Sequence, residues 1–252
     1  MIEDYAKHAA VWDWDGYDNT AEYEYWCDYA RKFGDRVLLP MCALGQTGAY
    51  MAQKGFRVTA FDITREMIGE GKKRFGGVKN LSLKVADICH LDLAERDFDF
   101  GFLATQDLHL LSDIGMVREA FISLSNHLRK GGCLVLELIL PSSKSHEYPE
   151  QTYDPRVPNY TDRKVWKVGK GRYDAVTRRH YIDQTVYIQD EKGIETFDYA
   201  VVLQYFERRE ILRALNDAGF TVIGEYCDRK KTAWTSESRE WMIEAVKAGG
   251  TE

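Results

Sequence analysis

The chain has 252 residues, with 34 basic and 40 acidic side chains and a formal net charge of −6, a length that allows one large domain or two. Apolar and aromatic fractions of 44% and 13% exclude intrinsic disorder, and the acidic balance argues against a nucleic-acid partner. No apolar run approaches the ~18 residues of a membrane span, and Met1-Ile2-Glu3-Asp4-Tyr5 opens without a secretion signal. The five cysteines, Cys27, Cys42, Cys89, Cys133 and Cys227, never form C-x-x-C, which fits reduced thiols in a cytoplasm rather than a disulfide framework or a zinc site.

Residues 3–33 read as helical, broken at Gly16 and stopped at Gly34. Arg36 to Pro40 reads as a buried strand, Gln46 to Lys54 as a helix, and Phe56 to Asp62 as a second strand. Thr64 is placed as N-cap of a helix running to Phe75. Leu81–Val85 and Phe98–Ala104 are the third and fourth strands, Ile114–Leu128 a helix stopped by Gly131-Gly132, and Cys133–Leu140 a fifth strand. Strands alternating with helices at this spacing imply βαβ units and a parallel sheet.

From Pro141 the texture changes. Residues 141–162 read as a loop or lid, and 163–206 alternate with period 2, with turns placed at Gly169-Lys170-Gly171 and Asp190-Glu191-Lys192-Gly193. A helix from Arg208 to Ala218 and strands at Phe220–Tyr226 and Trp241–Val246 close the chain. The expected organisation is a helical lid (1–35), a Rossmann-like core (36–140), a loop and antiparallel cap (141–206) and a C-terminal part completing the core sheet (207–252). The fold class is α/β, doubly wound, with a mostly parallel seven-stranded sheet and an antiparallel cap inserted after strand 5.

Residues 37–62 carry the chemistry. A strand runs into the turn Cys42-Ala43-Leu44-Gly45-Gln46-Thr47-Gly48, a helix follows, and a second strand ends in Asp62. Small residues there let backbone approach a ligand, and an acid at the end of the second strand can accept hydrogen bonds from ribose hydroxyls. Written as Ala43-x-Gly45-x-x-Gly48, the turn is also one substitution from a dinucleotide fingerprint, which keeps a nicotinamide-dependent oxidoreductase as an alternative.

With its helical lead-in and its tail, the chain resembles the class I S-adenosylmethionine-dependent methyltransferases, in their small-molecule branch with an antiparallel insertion after the fifth strand. Aligned from Val37, that family's acidic position falls on Leu39 and its Gly-x-Gly-x-Gly turn on Met41, Ala43 and Gly45, of which only Gly45 is glycine. Ala43 is a mild change provided its φ is negative. The resemblance implies a methionine end held by Met41, Ala43 and Gly45, a ribose held by Asp62 with Ile63 and Met67 beside it, and an adenine held by Asp87 and Ile88. It implies that Trp12 and Tyr23 close over the cofactor, and that Gln106 and His109 stand where methyl donor and acceptor meet.

The plain alternatives are a helix cap for Asp62, a turn residue at Asp87 and a structural histidine at His109. His109 is the candidate base. His180 and Arg178, on one face of the meander, are candidate substrate contacts, whereas His8 and His127 read as helix-surface residues. Glu137, alone in an apolar strand, needs a partner. The Arg178-Arg179 and Arg229-Lys230-Lys231 runs read as solvated faces. The expected function is methyl transfer from S-adenosylmethionine to a small soluble acceptor, first of all an amine, leaving S-adenosylhomocysteine. A non-catalytic S-adenosylmethionine-binding protein is the second alternative, and no membrane partner or metal is expected.

Overall fold

The computed structural model describes residues 8–13, 19–104, 106–140, 148–158 and 162–249. Helix α1 (Thr20–Phe33) buries Trp26, Cys27, Tyr29 and Ala30. It is followed by β1 (Arg36–Leu39), α2 (Gln46–Gln53), β2 (Arg57–Asp62), α3 (Arg65–Phe75), β3 (Leu81–Val85) and β4 (Phe98–Leu103). A 3-10 turn (Asp107–Leu110), α4 (Ile114–His127) and β5 (Leu128–Ile139) come next. The cap holds β6 (Tyr148–Thr152), β7 (Lys164–Asp174), β8 (Arg179–Asp190) and β9 (Gly193–Gln204); α5 (Arg208–Asp217), β10 (Phe220–Tyr226) and β11 (Glu240–Lys247) complete the chain.

The larger sheet has seven strands in the order β10-β11-β5-β4-β1-β2-β3. The five strands from β3 to β5 are parallel, while β11 pairs antiparallel with both β5 and β10. The run Phe98-Asp99-Phe100-Gly101-Phe102 explains how α1 docks. The rings of Phe100 and Phe102 face one way, so Trp26 stacks on Phe102 at 4.0 Å and Tyr29 on Phe100 at 5.7 Å. The opposite face of the sheet buries Val117, Phe121 and Leu124 of α4 with Ile211 and Leu215 of α5. Both faces are therefore covered, as a parallel sheet requires.

The cap is a separate antiparallel sheet ordered β6-β7-β8-β9. Part of the expected loop, Tyr148–Thr152, is its edge strand; 141–147 and 159–161 lie outside the described residues. Gly169-Lys170-Gly171 is not a turn. It runs through the middle of β7, where a Cβ at Gly169 would sit 2.8 Å from Gln184 Cγ and one at Gly171 would sit 2.3 Å from the Tyr148 ring. Close cross-strand packing, not chain reversal, requires glycine there. The reversal falls after Asp174, whose Oδ1 accepts from the Val176 and Thr177 amides at 2.9 and 3.3 Å.

Two other expectations need correction. Strand β5 is paired from Leu128, and its register on β4 jumps between Phe98↔Leu128 and Phe100↔Cys133, so the Gly131-Gly132 pair is a bulge inside the ladder. His8 and His127 are buried rather than on helix surfaces. The His127 Nδ1 bonds the Ser123 carbonyl at 2.7 Å, and its Nε2 accepts from the Leu93 amide at 3.3 Å. His8 lies 3.0 Å from Lys167 Nζ, and burial, helped by the Lys167 charge, holds its pKa down to about 3. Next to it, Val11 packs with Val165, Val186 and Phe197 of the cap, while Ala9 packs with Leu44 and Met67 of the core. The short segment 8–13 thereby joins the two sheets.

Candidate active site

A cavity of about 490 Å³ opens where the strands β1 to β4 end and the cap begins. Open α/β sheets bind ligands at this edge. Its floor is Met41 and Ala43 after β1, Asp62, Ile63 and Thr64 after β2, Asp87 and Ile88 after β3, and Asp107 with Leu110 to Ser112 after β4. Its roof is Arg179, Tyr181, Ala200 to Val202 and Gln204 of β8 and β9, with Trp12 at one side.

The turn after β1 explains how a site survives the loss of two glycines. Met41, Ala43 and Gly45 have φ of +51°, +49° and +87°. The three positions that align with glycines are thus all in the left-handed region, so the turn keeps the glycine geometry with alanine and methionine in it. Ala43 is not at negative φ as expected, and its side chain is accommodated at the cost of strain. The turn is tied to β2: the Cys42 amide donates to the Phe61 carbonyl at 3.0 Å, and the Ala43 amide to Asp62 Oδ2 at 2.9 Å. Asp62 Oδ1 accepts from the Thr64 amide at 2.9 Å, which fixes the chain entering α3, and the Thr64 hydroxyl makes no cap hydrogen bond. Burial raises the Asp62 carboxyl above its usual range, against the lowering effect of those amides.

Asp87 accepts from the Cys89 amide at 2.9 Å and lies 3.1 Å from His90 Nδ1, so it is a turn residue as well as a cavity wall. Asp107 Oδ2 accepts from the Ala104 amide at 2.9 Å. Burial pushes its carboxyl up to about 8, opposed by that amide and reinforced by Asp62, Glu22 and Glu137. The apolar walls are Ile63, Ile88, Leu110, Met116 and Val202. A set of apolar surfaces flanked by carboxylates fits S-adenosylmethionine, whose purine needs the former and whose ribose hydroxyls and amino group need the latter.

Of the residues singled out in the sequence, Trp12, Met41, Ala43, Asp62, Ile63, Met67, Asp87 and Ile88 meet at this cavity. Gly45 shapes its turn. Tyr23 instead packs on Tyr50 of α2 at 5.4 Å, and Gln106 is exposed, its carbonyl accepting from the His109 amide. His109 does not carry the expected role of base. It is buried, with Nδ1 2.9 Å from the Gln204 carbonyl and Nε2 accepting from the Ile139 amide at 3.2 Å. Both ring nitrogens are thereby committed to main chain in a neutral ring that pins β9 to β5.

The cap contacts are shifted by one residue from expectation. Arg178 lies in the turn with φ +56° and pairs with Glu210 at 2.9 and 3.1 Å, while His180 packs edge-on to Tyr148 at 6.3 Å. Arg179 and Tyr181 are the ones that face the cavity, Arg179 being held by Gln204 Oε1 at 3.0 Å. Placing the reversal at Asp174 would have set this phase. Asp107, between Gln106 and His109, is the residue of this stretch that lines the cavity, and the sequence pattern did not single it out. Glu137 finds its partner in Arg229, bidentate at 2.8 and 2.9 Å, and Lys231 bonds Glu244, so two members of the basic run 229–231 are paired while Lys230 and Lys231 stay exposed.

Comparison with known proteins agrees with this geometry. Residues 37–132 match the family described as Methyltransferase domain. YqeM of Bacillus subtilis (strain 168), which bears a methyltransferase name, is 20% identical over 223 residues, 88% of each chain. Among solved structures, an S-adenosylmethionine-dependent methyltransferase from Clostridium acetobutylicum ATCC 824 superposes with a TM-score of 0.79 at 18% identity, over 97% of this chain and 99% of that one. The sugar N-methyltransferase KedS8 from Streptoalloteichus sp ATCC 53650 gives 0.76 at 19% identity, over 95% and 92%. The core of this chain is a methyltransferase domain on the class I fold. The protein is an S-adenosylmethionine-dependent methyltransferase, not the nicotinamide-dependent alternative. Among the described residues no helix is long and apolar enough to cross a membrane.

Proposed function

We propose that this enzyme methylates an amine nitrogen of a small acceptor held between the strand ends and the cap. The observation that carries this reading is the single cavity shared by the cofactor-type floor and the β8–β9 roof, which leaves room for two ligands to meet. Its lining favours an amine over an anionic acceptor: three acids, Asp62, Asp87 and Asp107, stand against one guanidinium, Arg179. The likeness to KedS8, a sugar N-methyltransferase, supports the same choice.

S-adenosylmethionine supplies a methyl group already activated on a sulfonium, so the protein's tasks are binding and alignment. In this reading Asp62 accepts from the ribose hydroxyls while its amide bonds hold the turn. Asp87 and Ile88 border the adenine, and the backbone of Met41 to Gly45 borders the methionine end. Arg179 and Tyr181 select the acceptor, which enters as the neutral amine with its lone pair free and loses a proton to solvent after transfer. Trp12 closes one side.

The test is a panel of amino sugars, other small amines, phenols and thiols incubated with S-adenosylmethionine, following S-adenosylhomocysteine and the acceptor's gain of one methylene in mass. Turnover confined to amines is expected. Turnover of phenols or thiols with none on amines would overturn the nitrogen assignment.

A further inference from the structure

We propose that Asp107 is the counter-ion of the α-ammonium group of S-adenosylmethionine, standing in for the acid that this chain lacks at the end of β1. The proposal rests on the cofactor reading above and adds a residue to it. At the end of β1, Leu39 is buried among Trp26, Phe102 and Val135, so no carboxylate reaches the site from that strand. Strand β4 is the neighbour of β1 in the sheet, and Asp107 follows it, lining the same cavity as Met41, Ala43 and Asp62.

One carboxylate oxygen is fixed by the Ala104 amide. Among the described residues no lysine, arginine or histidine forms an ion pair with Asp107, and the charges that bear on it are all negative: Glu22 from α1, Asp62 from β2 and Glu137 from β5. The nearby guanidinium of Arg229 is committed to Glu137 and to Glu22, at 2.8 and 3.2 Å. The Cys42 thiol, facing Asp107 and Asp62, is itself pushed well up by burial. A carboxyl group in such surroundings either stays protonated or takes a cation from a ligand. In the ligand-free protein burial keeps it protonated at neutral pH; an ammonium ion brought beside it makes ionisation favourable and expels the proton to solvent.

Calorimetric titration at pH 7 in two buffers of different ionisation enthalpy reads this proton directly. S-adenosylmethionine and S-adenosylhomocysteine should each release close to one proton on binding the wild-type protein, and methylthioadenosine, which has no ammonium, none. The ligand's own amino group is already mostly protonated at pH 7 and contributes little. Asp107→Asn keeps an acceptor for the Ala104 amide; it should bind S-adenosylhomocysteine without release and roughly tenfold to a hundredfold more weakly. Equal affinity and equal proton release in wild type and variant would overturn the assignment while leaving the cofactor reading intact, as would release with methylthioadenosine. Failure of all three ligands to bind folded wild-type protein would overturn the cofactor reading and the role of Asp107 with it.

Discussion

Replacing glycine by alanine and alanine by glycine two residues apart in the turn after β1 should have unequal consequences. At Gly45, φ is +87° and a Cβ would fall 2.6 Å from Leu83 Cδ2. Left-handed backbone costs an L-residue about 1–2 kcal/mol. The smaller entropy of the unfolded alanine chain returns about 0.4–1 kcal/mol, and displacing Leu83 from its rotamer adds about 0.5–1.5 kcal/mol. Gly45→Ala is therefore expected to destabilise by about 1–2 kcal/mol, or roughly 2–8 °C in Tm for a chain of this size. At Ala43 the same left-handed cost is already present, with φ +49°. Ala43→Gly relieves about 1–2 kcal/mol of it, but forfeits about 0.4–1 kcal/mol of unfolded-state entropy and up to about 0.8 kcal/mol of methyl burial against Leu44 and Met67. The result lies within about 1 kcal/mol of wild type. Urea and thermal unfolding of both variants, with S-adenosylhomocysteine affinity measured beside them, check the pair. Destabilisation of Ala43→Gly by as much as Gly45→Ala would refute the claim that this turn holds alanine in a glycine conformation.

Asp62→Ala removes the anchors of the Thr64 and Ala43 amides and the proposed ribose acceptor together. S-adenosylhomocysteine affinity should fall by about 1.5–3 kcal/mol, and titration at wild-type strength would sink the ribose assignment. His109→Ala leaves the Gln204 carbonyl and the Ile139 amide without partners and should lower stability by about 2–4 kcal/mol. The pH dependence of kcat in whatever fraction folds should match wild type; a lost ionisation in that profile would restore His109 as a base.

The parallel core was legible because each of its strands is a short apolar run bounded by glycine or a polar turn, and each helix has a stop. Asp62 and Asp87 could be read from their positions at strand ends. The cap was harder for a specific reason. Its strands alternate with period 2, so a reversal misplaced by a few residues turns every side chain to the wrong face; taking Gly169 and Gly171 as a turn hid the fact that they sit opposite Gln184 and beneath Tyr148. The phase error exchanged Arg178 and His180 for Arg179 and Tyr181. His8 and His127 are buried against the local pattern, and His109 takes the structural alternative, because burial by distant elements decides what an imidazole bonds. Glu137 announced its need of a partner, but Arg229 lies 92 positions on, and no local rule pairs them.

Asp107 has a consequence for stability that separates it from an ordinary buried acid. Its folded carboxyl titrates near 8, well above the 3.8 of an unperturbed aspartate. Between those values the native state holds a proton that the unfolded state has released, so stability declines as pH rises from about 4 towards 8 and levels off above. The shift is large enough for the loss to amount to a few kcal/mol, on the order of the whole contribution of a buried side chain. Asp107→Asn lacks this titration. The ligand-free variant should therefore exceed wild type in stability by a margin that is small near pH 4, widens through pH 6 and 7, and stays constant past pH 8. Urea midpoints at four pH values measure the margin. A saturating ligand that supplies an ammonium should close it, because the ion pair stabilises the form that burial alone penalises. A margin independent of pH would mean that Asp107 is ionised throughout, which removes both the stability argument and the site's reserve for a cation.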